Sequence, residues 1–183
     1  MRLISTLLIA GLLTACAADP AKIQNVAEVE SDRLSPPSVP LSSFAAFELA
    51  DMVYSETVLA EEKKVAEADE FQENLRVKLD PLLSGWNASP QEGASGTLSI
   101  QPSLRHLKIV SGGARFWAGA FAGDSYIDMD LVLVNKDSGD VVANIPIRRD
   151  ADAMAGGWSV GKSDQNLDQY VTSIVHEYLS RNY

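Results

Sequence analysis

From Ile127 to Val134, the apolar residues Ile127, Met129, Leu131 and Leu133 alternate with Asp128, Asp130, Val132 and Val134. Successive strand side chains point to opposite faces, so this alternation predicts a β-strand with one buried face. After Lys136-Asp137-Ser138-Gly139-Asp140, the pattern repeats at Val141, Ala143, Ile145 and Ile147, which predicts a hairpin. A two-residue Ser138-Gly139 turn would set Leu131 against Pro146 and Met129 against Arg148. A three-residue Asp137-Ser138-Gly139 loop with Gly139 left-handed instead pairs Leu133 with Ala143, Leu131 with Ile145, Met129 with Ile147 and Asp128 with Arg148. The second register keeps apolar residues opposite apolar ones and is the one expected.

The rest of the chain supplies partners for that hairpin. Ser43 to Leu49 reads as a first strand. From about Ala60, residues Ala68, Phe71, Leu75, Leu79 and Leu82 recur at helical spacing, with Pro81 expected to end or kink the helix near Asp80. Thr97 to Ile100 alternates again and resumes out of phase at Leu107-Lys108-Ile109, which predicts a bulge or edge near Pro102. The last helix has Ser163 or Asp164 as its expected N-cap and a stripe of Leu167, Tyr170, Val171, Ile174, Val175 and Tyr178. Together these predict an α/β (α+β) fold, with a mixed sheet of about four strands and two main helices. The expected order is strand-helix-strand-strand-strand-helix.

The N-terminus speaks to location. Arg2 is followed by an apolar run from Leu3 to Leu13, too short to span a bilayer as a helix, so residues 1–15 read as a secretory signal. The stretch around residues 16–41 holds Pro20, Pro36, Pro37 and Pro40 and little apolar periodicity, and is expected to be a flexible tether. Residues 42–183 are then one domain. A net charge of −10 makes nucleic acid and anionic surfaces poor partners.

Leu13-Thr14-Ala15-Cys16 resembles the lipobox of bacterial lipoproteins. That resemblance implies diacylglyceryl and N-acyl modification of Cys16, and so a membrane partner reached through a lipid anchor. Ala17 and Ala18 after the cysteine imply the periplasmic face of the outer membrane. The lipobox, the strand and amphipathic helix, a Gly-rich segment before an Asp-rich strand, the Asp137-Ser138-Gly139-Asp140-Val141-Val142 turn and the final helix together resemble bacterial lipoproteins with one uncharacterised α/β domain. More distantly they resemble the curli-secretion lipoprotein module and the amino-terminal domain of TolB. The shared motifs are packing motifs and imply no activity.

Chemistry-bearing constellations are few. The single cysteine forms no intramolecular disulfide, and His106 and His176 have neither cysteine nor a second histidine nearby in sequence, so no metal site and no cofactor are expected. Asp124, Asp128 and Asp130 share a parity and are expected along one solvated face, partly neutralised by Arg148 or Arg149. Gly156 to Ser163 matches G-x-x-x-x-G-K-S literally, but follows a polar hairpin exit rather than a buried parallel strand, and reads as a turn with a buried Trp158. In Gly112 to Gly123, Phe116, Trp117 and Phe121 either cap the domain's own core or form an interaction patch. The expected function is a non-enzymatic, lipid-anchored periplasmic binding or scaffold domain of the cell envelope, acting on an envelope protein partner or by self-association. The alternative is an envelope hydrolase using the aspartate face.

Overall fold

The computed structural model describes residues 19–110, 124–151 and 166–183. Among these, α1 (Pro20–Ser31) precedes a 3-10 turn (Leu41–Ser43), strands β1 (Ala46–Leu49) and β2 (Val53–Tyr54), and helices α2 (Glu56–Leu59) and α3 (Glu62–Ala88). Strands β3 (Thr97–Lys108), β4 (Tyr126–Asn135) and β5 (Val141–Asp150) follow, and α4 (Leu167–Asn182) closes the chain. The five strands form one mixed sheet in the order β1-β3-β4-β5, with β2 also paired to β3. β1 and β2 run parallel to β3, as a strand-helix-strand return requires, and β3-β4-β5 is an antiparallel meander.

The expected α/β architecture is present, one short strand and two further helices richer than read. The hairpin has the expected pairs, Leu131 with Ile145, Met129 with Ile147, Leu133 with Ala143 and Asp128 with Arg148. Gly139 takes the expected left-handed conformation at φ 79. The loop itself is one residue longer. Asn135 donates its N–H to the Asp140 carbonyl at 2.9 Å, and a register shift between Leu133 and Val134 absorbs the extra residue.

Leu98, Ile100, Leu104, Ile127, Met129, Leu131, Leu133, Ile145 and Ile147 are all buried on one side of the sheet, under α3 and α4. The α3 residues Phe71, Leu75, Leu79 and Leu83 and the α4 residues Leu167, Val171, Val175, Tyr178 and Leu179 complete this core. Truncating one of these leucines to alanine costs about 2–5 kcal/mol, because a packed interior refills the cavity only in part.

Four sequence expectations are corrected. First, α3 runs through Pro81 to Ala88. Pro81 and Val77, whose carbonyl loses its helical partner, both lie on the exposed side, where water can satisfy that carbonyl. Trp86 beyond the proline is stacked on Tyr183 at 4.2 Å and packed edge-on to Phe47 at 5.0 Å, which rewards continuing the helix.

Second, the bulge is at Arg105 rather than Pro102, since Leu104 faces Met129 and His106 faces Asp128. Pro102 stays inside the strand because its missing N–H falls in a gap. The Ile100 and Leu104 carbonyls accept from Ala50 and Ser55 on the parallel side, so Pro102 points to the space between β1 and β2. Third, the final helix begins at Leu167 with Asn166 in the capping position, and Ser163 and Asp164 lie outside the described residues.

Fourth, the segment read as tether contains α1. Pro20 occupies the first helical turn, and the Asp19 carboxylate accepts from the Ala21 N–H at 3.0 Å. Ala27 is buried against Tyr170 and Ile174, with Ile23 and Val26 partly buried beside them. Arg181 to Asp32 at 2.5 Å and to the Glu28 carbonyl at 3.1 Å pin the helix along α4, and Arg149 to Glu30 at 2.7 Å ties it to β5. Beyond it, the Tyr178 hydroxyl donates to the Ser35 carbonyl, and the Ser38 N–H and hydroxyl both donate to the Val142 carbonyl on β5.

Two outcomes follow. Ala27→Asp is expected to release α1 locally, abolishing hydrogen-exchange protection over residues 23–31 while amides of β3 and β4 stay protected. Burial pushes the Tyr178 hydroxyl from 10.0 up to about 12. The unfolded chain therefore ionises first, so stability resting on the neutral phenol is intact below about pH 10 and is lost as the pH rises toward 12. Tyr178→Phe should flatten the fall in melting temperature over that window, and cost about 1 kcal/mol at neutral pH through the lost hydrogen bond.

Candidate functional site

The sheet's second face carries no helix among the described residues. Ser99, Gln101 and Ser103 of β3, Tyr126, Asp128, Asp130, Val132 and Val134 of β4, and Asn144, Pro146 and Arg148 of β5 lie on it, by strand alternation and the observed register. Asp128 and Asp130 thus share one face as the sequence has them, but Asp128 is buried there rather than solvated. Asp124 does not share it, because it lies ahead of the first residue of β4.

The neutralising cation is Arg105, which sequence reading missed. Its Nε and Nη2 donate to Asp128 Oδ1 at 3.1 and 2.6 Å, and its Nε lies 3.4 Å from Asp130 Oδ2. Arg148 stands opposite Asp128 in register but pairs with Asp150 at 3.6 Å and lies 5.3 Å over the Tyr126 ring, while Arg149 is taken by Glu30. The bulge places Arg105 there: as the extra residue of β3, its side chain is re-aimed across the face onto β4.

A bulged residue leaves backbone groups out of the ladder, and here the hydroxyls that precede and open α2 take one of them. Ser55 and Thr57 both donate to the Arg105 carbonyl, at 2.5 and 3.1 Å. His106 Nδ1 lies 3.3 Å from the Thr57 hydroxyl on an exposed ring, an edge histidine in keeping with the sequence.

Concave regions lie elsewhere on the described residues. A groove of about 640 Å³ runs between α1 and α3, with Thr172 and Ser173 of α4 on its floor and Ile23, Asn74, Val77 and Lys78 among its walls. Thr172 and Ser173 are both buried, because α1 covers a second side of α4. His176 nearby is half-buried, and burial first and Lys78 second hold its pKa below the usual histidine value. A recess of about 190 Å³ is lined by Glu67, Glu70 and Asp168 over Phe71 and Ile127. Lys63 pairs with Glu67 at 3.2 Å, and Asn74 donates to Asp168 at 2.7 Å. Among the described residues, no group of three or more His, Cys, Asp or Glu side chains is placed to hold a metal ion. Cys16, the Phe116, Trp117 and Phe121 segment and the Gly156 to Ser163 stretch lie outside the described residues.

Asp128 is only 9% exposed, so removing its partner strands a desolvated carboxylate. Arg105→Ala is expected to destabilise the domain by about 1–2 kcal/mol, a figure reduced for the partly exposed guanidinium. In urea titrations, most of that loss should vanish when Asp128→Asn and Asp130→Asn are already present, the coupling expected of one cluster.

No known family profile matches the chain, and no curated protein matches it significantly. Among solved structures, the PelC dodecamer from Paraburkholderia phytofirmans is similar at 12% identity over 79% of this chain and 96% of that one, with a TM-score of 0.45. A point variant of that same dodecamer, in another crystal form, has 12% identity, 80% and 95% coverage, and a TM-score of 0.46. Protein XCC0632 from Xanthomonas campestris is similar at 9% identity, with 81% and 92% coverage and a TM-score of 0.36.

Proposed function

We propose that this chain is a non-enzymatic, lipid-anchored domain of the bacterial cell envelope. It is held at the periplasmic face of the outer membrane through Cys16, and binds another envelope component or a second copy of itself through the open face of the sheet. The observation that carries this reading is how the described surface of the sheet is divided. One face is buried under α3 and α4, and both edges are occupied.

On the β1 side, Asn87 accepts from the Phe47 N–H at 2.7 Å and donates to the Phe47 carbonyl at 3.0 Å, while the Gln72 amide oxygen accepts from the Met52 N–H at 2.6 Å. On the β5 side, Ser38 covers Val142, and Pro146 removes a donor from mid-strand. Strand addition at either edge is thereby opposed. The second face remains without a covering helix among the described residues, its central Ser99 and Asp128 buried, its charges compensated, and Asn144, Pro146 and Arg148 of β5 its exposed part.

The same cluster argues against the hydrolase alternative. Glycoside hydrolysis needs two carboxyl groups flanking a sugar cleft with distinct acid and base roles. Asp128 and Asp130 sit two residues apart on one strand and share a single guanidinium. A hydrolase built on them would lose turnover in the Asp128→Asn, Asp130→Asn variant while staying folded, whereas a binding domain has no turnover to lose.

The anchor is tested by mass spectrometry of the mature protein made in a Gram-negative host. The expected N-terminus is an acylated Cys16, and an unmodified terminus at Ala17 or Ala18 overturns the anchor. The binding role is tested by photocrosslinking from Gln101 or Asn144 in intact cells. A discrete adduct, with a partner or with a second copy, is expected from these positions and not from the helix-covered side; no adduct from either position overturns the sheet face as the contact surface.

A further inference from the structure

Helices α1, α3 and α4 run in the same direction, which gives the domain two distinct poles. Asn74 meets Asp168 near the start of α4, whereas Trp86 meets Tyr183 at its end. Along α1, Asp19 lies by Tyr170, whose hydroxyl is pushed up by burial first and by that carboxylate second, while Asp32 meets Arg181. The start of α1 therefore sits at the pole where Phe71, Leu107, Ile127 and Asp168 converge. The β4-β5 loop lies at the opposite pole, with Tyr183 against Phe47 and Leu98 paired to Asn135.

We propose that the groove between α1 and α3, beside the start of α1 and apart from the carboxylate-lined recess, rests on a zwitterionic phospholipid surface; this inference relies on the Cys16 anchor of the preceding reading. Three observations carry it. Cys16 is three residues from Asp19, the N-cap of a helix packed on the domain, so at no more than about 3.6 Å per residue the anchor lies within roughly 11 Å of the folded body. The groove beside that point presents Pro20, Ile23 and a 65% exposed Val77, apolar surface that water disfavours and the bilayer interface accepts. Its one charged lining side chain is Lys78, in a chain with 25 acidic and 15 basic residues, and Lys22 is exposed on the first turn of α1. An ammonium beside apolar side chains suits the phosphate level of a lipid surface, with the long stem of the lysine lying along the apolar part.

The domain on this account does not stand off on a long tether. Its β4-β5 loop points away from the membrane and the open sheet face rises beside it, accessible to partners in the periplasm.

The test uses the full-length lipidated protein in zwitterionic vesicles of phosphatidylethanolamine and phosphatidylcholine containing nitroxide-labelled lipid. Cys16 is the only native cysteine and its thiol is consumed by the lipid, so an introduced thiol is labelled uniquely. Val77→Cys on the groove and Val141→Cys beside the β4-β5 loop replace valines of similar exposure, 65% and 60%, and neither contributes to the buried core. A fluorophore at Val77→Cys is expected to lose most of its fluorescence to the labelled lipid, and one at Val141→Cys to keep most of it. Equal quenching at the two positions, or the reverse order, overturns the orientation while leaving the anchor intact. Failure of the protein to float with the vesicles overturns the anchor and the orientation together, so the two failures are distinguishable.

Discussion

Burial of a single face of the sheet is the constraint on which the other features depend. Every inward residue of β4 from Ile127 to Leu133 is buried, and each needs a buried neighbour on β3 and β5. In β3 the inward set begins at Leu98, Ile100 and Leu104 but ends at Leu107, an odd step along a period-two element. Without an inserted residue, either Leu104 or Leu107 would face water. The bulge at Arg105 resolves the conflict, and the residue spare to the ladder becomes the cation that holds the open face together. Core phase and surface electrostatics thus have one cause.

The helices that cover this face also finish the sheet's margins. Asn87 and Gln72, both on α3, reach the outward backbone of β1 and the adjoining turn, so the element that buries the core also blocks an edge. At the other margin, the chain leaving α1 crosses to β5 through Ser38. Edges left open would invite strand pairing with any extended chain. Their closure steers association toward the face and gives the N-terminal segment a structural role in addition to linkage.

That segment also bears on the proposed anchor at Cys16. A flexible stretch from residue 16 to 41 would let the domain wander far from an anchor, whereas a helix starting at Pro20 holds it close. Proline content alone suggested flexibility, but Pro20 is at the position where proline favours helix initiation, and the prolines at 36, 37 and 40 follow the helix.

Local pattern by itself determined the identities of β1, β3, β4, β5, α3 and α4, the hairpin register and the left-handed Gly139, because alternation, helical stripes and turn chemistry act over a few residues. It also signalled that β3 must slip phase, but pointed to Pro102 where the slip is at Arg105. Only tertiary structure decided the rest. Pro102 could remain in its strand because β1 and β2 leave a gap opposite it, and Pro81 could remain in α3 because solvent reaches Val77 while Trp86 finds Tyr183 and Phe47. Thr172 and Ser173 became interior because α1 returns to cover them, and Asp128 met Arg105 rather than Arg148 because a bulge on a neighbouring strand re-aimed a side chain. Each of these depends on what a distant segment places alongside, information that a local pattern does not hold.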